Sequence, residues 1–214
     1  MGELVNQGLA KIESATTKLF DSLIKGETFM SVKYKTPKEY VEKYWAALEK
    51  VNKPTLHTNT FKYIIYSLLY REGIKPFYAQ AKVAFVPNVN YDALLYNQSA
   101  PVSLSLKTSL RERYKQADLE AVALRYIYSR AKSYLLTMDT REANVQKAKI
   151  LSGDIIGLDE IIDCNTSDID NLIADLKKIQ FTTSKQIDIV QGNLIRGCLN
   201  FTLKCNNRLV FSLI

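Results

Sequence analysis

Residues 102–107, VSLSLK, alternate strictly: Val102, Leu104 and Leu106 point one way, Ser103, Ser105 and Lys107 the other. Such alternation is a strand, and its surroundings narrow the fold. Upstream are two short runs rich in β-branched or aromatic residues, AKVAFVPN (81–88) and NYDALLYN (90–97), parted by a Pro-Asn turn signal. Downstream, a helix is expected over about 109–131, with Leu119, Val122, Ala123, Tyr126 and Ile127 as its core stripe. A strand over 133–139, a short helix over 141–153, a strand over 157–163 and a helix behind Asp168 follow. The final 20 residues, with Cys205-Asn206-Asn207 as a turn, suggest a hairpin.

The first 75 residues read differently. Leu4, Leu9, Ile12, Leu19, Phe20, Leu23 and Ile24 fit one amphipathic helix over about 3–25, stopping near Gly26. Thr36 can cap a second helix with Pro37 in its first turn and Tyr40, Val41, Tyr44, Trp45 and Leu48 on one face. A third is expected over about 59–72, ended by Gly73. The whole is expected to be an α/β domain. A mixed central sheet is flanked by helices, and residues 1–75 form a helical N-terminal layer on a core spanning 76–214.

Composition bounds the chemistry. The 214 residues are 47% hydrophobic and 24% charged, ordinary for a globular chain able to bury a core. A net charge of +7 favours a polyanionic partner, because basic surface gains by releasing counterions. The single histidine, His57, weighs against zinc fingers, histidine-metal nucleases and Ser-His-Asp catalysis; it reads as a surface or helix-start residue. Cys164, Cys198 and Cys205 form no C-x-x-C pair and read as free thiols of a reducing cytoplasm. No apolar run approaches the roughly 18 residues that a bilayer requires, so no membrane association is expected.

The chemistry-bearing residues cluster in 92–120. If YDALLY and VSLSLK pair as a hairpin with Gln98–Pro101 as the turn, Asp92 lies opposite Lys107, their Cβ atoms about 5 Å apart. An aspartate beside a lysine at a buried strand end is either an edge ion pair or a catalytic pair. In the second case Asp92 binds Mg2+ and Lys107 orients or helps deprotonate the attacking water. A second carboxylate is needed. Ser105 stands where an acid would complete D…(D/E)-x-K, and Glu120, on the helical face shared with Arg113 and Gln116, can fill that vacancy. Arg111-Glu112-Arg113 at the helix start suits major-groove readout: Arg bonds guanine O6/N7 bidentately, and Glu accepts from cytosine N4.

At these residues the chain resembles the PD-(D/E)xK restriction endonucleases, in particular their EcoRII/SsoII/PspGI-like branch. The resemblance covers residues 92–120; Tyr91 rather than proline precedes Asp92. It implies Asp92 as the strand aspartate, Ser105-Leu106-Lys107 as the displaced motif and Glu120 as the migrated metal-binding carboxylate. Arg111, Glu112 and Arg113 would read C:G pairs of a CC…GG palindrome, and Tyr114 stands where the branch often has tryptophan. The implied activity is that of a Type II restriction endonuclease: Mg2+-dependent, acting on double-stranded DNA as a homodimer in the cytoplasm of a prokaryotic-type cell. Two alternatives stay open. One is a nuclease of repair or recombination; the other is a basic DNA-binding protein with a degenerate site, given Ser105.

Overall fold

A computed structural model describes residues 2–86, 88–185 and 189–196. The expected hairpin of the last 20 residues lies, but for Ile195 and Arg196, outside the described residues, as do Cys198 and Cys205. The N-terminal layer begins with α1 (Glu3–Asn6) and α2 (Ala15–Ser22). These replace the single helix expected over 3–25. Gly8, at φ +75°, turns the chain out of α1, and Ser14 then opens α2 with a capping box shared with Thr17. The apolar spacing had carried across a break that local capping chemistry imposes. α3 (Pro37–Glu49) starts as expected, with Thr36 accepting from the Glu39 N–H and Pro37 in the first turn. α4 (Pro54–Arg71) starts earlier than expected: Pro54 is its first residue, so His57 lies in the first turns, its Nε2 3.0 Å from the Val51 carbonyl.

Among the described residues six strands follow, in the spatial order β5-β4-β3-β2-β1-β6. They are β1 (Phe77–Val83), β2 (Tyr91–Leu95), β3 (Val102–Leu106), β4 (Lys132–Thr137), β5 (Glu160–Asp163) and β6 (Ile189–Ile195). β3, β4 and β5 are parallel, whereas β6-β1, β1-β2 and β2-β3 are antiparallel. α5 (Arg113–Ile127) and α6 (Thr140–Ser152) make the parallel crossovers, and α7 (Asp168–Leu176) follows β5. β1 runs earlier than the apolar run that announced it, and β6, on the far edge, was not anticipated. The architecture is the expected one: an α/β domain with a mixed sheet flanked by helices.

The two sheet faces bury different partners. Ala79, Ala93, Leu104, Leu106, Leu136 and Ile162 join side chains of α1 to α4 and α7 in one core. On the other face Leu135 and Ile161 meet Ala117 and Ala121 of α5 and Ala143 of α6, while Leu124 of α5 packs with Tyr91 and Leu94. The expected core stripe of α5 therefore holds only at Ala123 and Ile127, which pack against the core, and fails at its other three positions. Leu119 and Tyr126 are 69% and 89% exposed, Val122 is also exposed, Ala123 and Ile127 are half-buried, and the buried set is Ala117, Glu120, Ala121 and Leu124. Small residues at 117 and 121 let the helix lie close to the sheet, and that rotation turns Glu120 inward.

Candidate active site

β2 and β3 pair with Ala93 opposite Leu104 and Leu95 opposite Val102. Continued by one residue, that register sets Asp92 beside Ser105 rather than Lys107, a shift of two from the expected pairing. A shift of two preserves the face, since side chains alternate with period two. Lys107 lies just past the strand end and reaches back, its Nζ 3.1 Å from Asp92 Oδ2. The Leu106 backbone N–H donates to the same oxygen at 2.9 Å.

The other carboxylate oxygen has partners that the sequence did not announce. Lys62 of α4 places its Nζ 2.8 Å from Asp92 Oδ1, and Gln80 Nε2 donates to Oδ1 at 3.2 Å. Gln80 stands at φ +53°, within the stretch where the β1-β6 register slips; the kink aims its side chain at the acid. Tyr66, one turn beyond Lys62 on α4, donates its hydroxyl to the Asp92 carbonyl. The only sequence signals were a lysine inside the apolar run FKYIIYSLLY and a glutamine just before the strand-like run AKVAFVPN.

Asp92 is 5% exposed. Burial opposes its ionisation, but the Lys107 and Lys62 charges, the Lys62 hydrogen bond and the Leu106 N–H together prevail, and its carboxyl is held below the usual aspartate value. Glu120, 7% exposed, enters from α5 on the opposite face of the sheet from α4. Its burial raises the carboxyl above the usual glutamate value. A 2.7 Å hydrogen bond from Gln116 Nε2 and the charges of Lys107 and Lys62 oppose that rise, and Asp92 adds to it. Glu120 thus feels the charges of Lys107 and Asp92, and its backbone carbonyl accepts from the hydroxyl of Tyr91, the residue before Asp92, at 3.0 Å. Ser105 is buried.

The triplet lies beside this cluster. Arg111 and Glu112 occupy a turn, and Arg113 is the first residue of α5 rather than the middle of its first turn. All three are exposed. Among the described residues, no hydrogen bond or ion pair engages the guanidinium of Arg111 or Arg113. Glu112 is paired at 2.6 Å with the exposed Lys115. The turn itself is fixed from behind: the Glu142 carboxylate of α6 accepts the backbone N–H groups of Leu110 and Arg111. Tyr114 is held by Lys149, whose Nζ lies 2.9 Å from the hydroxyl.

The donor set fits a hard divalent cation such as Mg2+. Asp92 and Glu120 offer two buried carboxylates, and such an ion keeps several waters or substrate oxygens beside one or two protein ligands. Among the described residues there is no group of three His, Cys, Asp or Glu side chains placed to hold a metal alone. No described helix is long and apolar enough to cross a membrane. Comparison with family models, with curated proteins and with solved structures found no match in any of the three.

Proposed function

We propose that the chain is an Mg2+-dependent endonuclease that hydrolyses phosphodiester bonds of double-stranded DNA at a short G/C-containing palindrome with a CC/GG element. The observation that carries this reading is the pairing of Asp92 with Lys107 beside the buried Glu120, whose carboxyl both charges influence, with Arg111 on the preceding turn and Arg113 at the start of α5 engaging no partner among the described residues. Asp92 and Glu120 would hold the cation. When bound, it would lower the pKa of a water and offset charge developing on the phosphate. Lys107 would orient the attacking water and neutralise a phosphate oxygen as charge accumulates there. Arg111 and Arg113, which have no partner among the described residues, would be available to base edges, while other basic side chains would fix register on the backbone. A two-fold dimer would match a palindrome.

Digestion of a mapped plasmid with and without Mg2+, followed by sequencing of the ends, tests this. Discrete fragments that require Mg2+ and share a G/C-containing end sequence are expected; uncut plasmid under every divalent ion would refute it. One observation favours a second reading, a DNA-binding protein without catalysis: both Asp92 oxygens are already occupied by donors, and Ser105 leaves the motif short of an acid. Metal-free, sequence-specific binding that Asp92→Ala does not alter, without cleavage, would select it.

A further inference from the structure

We infer that Lys62 is a resident counterion of the site: it pairs with Asp92 Oδ1 and yields that oxygen when a divalent cation and phosphate arrive. The inference rests on the nuclease reading above and adds a residue that the resemblance does not include. An ionised carboxylate offers about four lone-pair positions. Four donors surround Asp92: Lys62 and Gln80 on Oδ1, Leu106 N–H and Lys107 on Oδ2. A cation can bind this carboxylate only by replacing one of them.

The two oxygens differ in what holds them. Oδ2 is tied to backbone, because the Leu106 N–H belongs to β3, which is paired on both sides. Oδ1 has side-chain partners alone. Of these, the Gln80 amide is neutral and is held in place from behind, its carbonyl accepting from Asn90 Nδ2 at 3.0 Å; the Lys62 ammonium has no acceptor and repels a cation. Lys62 also has somewhere to go. A cleft of about 380 Å3, lined by Ser14, Thr16, Asn59, Tyr63, Tyr66 and Gln80, opens beside it and presents hydroxyl and amide groups. Its side chain is 19% exposed against 13% for Lys107. On its flexible stem the released ammonium can take up a phosphate oxygen, so metal and DNA would each favour the other's binding.

Calorimetric titration of the DNA-free, full-length protein with Mn2+ tests this directly. Lys62→Met should bind Mn2+ on the order of tenfold or more tightly than wild type, because a unit charge next to the ligand oxygen has been removed. Lys62→Gln, which keeps a donor but no charge, should behave the same way and serves if the methionine variant does not fold. Adding Asp92→Asn to either should abolish the gain, and duplex DNA should strengthen Mn2+ binding more in wild type than in Lys62→Met. Affinity within twofold of wild type, or a gain that survives Asp92→Asn, would overturn the role of Lys62. If wild type cuts DNA while the variants gain no Mn2+ affinity, this inference fails and the nuclease reading stands. If wild type never cuts, the nuclease reading fails, and the titration still decides whether Lys62 guards the carboxylate.

Discussion

Asp92 and Glu120 are displaced in opposite directions, and the signs lead to opposite pH behaviour. Asp92 ionises more readily folded than unfolded. Its contribution is present above the usual carboxylate range and is lost as pH falls through the folded value. Asp92→Asn, which leaves Lys62 and Lys107 facing each other without an anion, should cost about 3 kcal/mol at neutral pH. That deficit should shrink on acidification. Glu120 holds its proton more tightly when folded, so its contribution exists at low pH and is lost as pH rises through the raised value. Glu120→Gln should therefore match or exceed wild type in Tm at neutral pH and lose any advantage in acid. Thermal melts across pH 3 to 8 check both. For catalysis, Lys107→Ala and Glu120→Ala should abolish cleavage yet leave sequence-specific binding largely intact; near-wild-type cutting by either removes that residue from the site. The Asp92–Lys107 contact was legible because strand alternation put both residues on one face. Lys62 and Gln80 were not, since only the packing of α4 and a kink in β1 bring them to the acid.

At the level of elements, the β2-β3 hairpin was legible down to the face but not the register, because alternation is blind to shifts of two. The orientation of α5 was misread for a related reason. Its larger apolar residues, Leu119, Val122 and Tyr126, suggested a core stripe, but close approach to the sheet selects Ala117 and Ala121. That approach is fixed by the loop after α6. Asp118 Oδ1 accepts the N–H groups of Gly157 and Leu158, and Arg125 donates to the carbonyls of Ile156 and Gly157. A Cβ on Gly157 would stand 2.2 Å from the Asp118 carbonyl oxygen. Gly157→Ala should therefore cost about 1–3 kcal/mol, measured by chemical denaturation, and disturb the helix that carries Glu120. The turn before α5 makes a separate prediction. Arg111→Ala or Arg113→Ala should each lose about 1–3 kcal/mol of specific binding and relax sequence preference. An unchanged ratio of specific to random DNA binding in both would exclude them from readout.

Across the whole molecule, the α/β class and the helical layer followed from the change in texture near residue 75, since long apolar periodicities and short β-rich runs impose different backbones. The far-edge β6 escaped notice because IVQGNLI, with a central glycine, lacks a clear alternation. The net charge of +7 acts at this scale too. Affinity for duplex DNA should fall linearly on logarithmic axes as salt rises from about 50 to 200 mM, and a salt-independent affinity would argue against a polyanionic partner.

Lys62 and Tyr66 are neighbours along α4, and between them they grip both ends of a single residue: the side-chain carboxylate of Asp92 and its main-chain carbonyl. The N-terminal layer is thereby wired to the buried acid by two short links on one rigid rod. Any contact that slides or tilts that rod would pull on Asp92 directly, giving a distant surface of the N-terminal layer a mechanical hold over how the buried carboxylate sits.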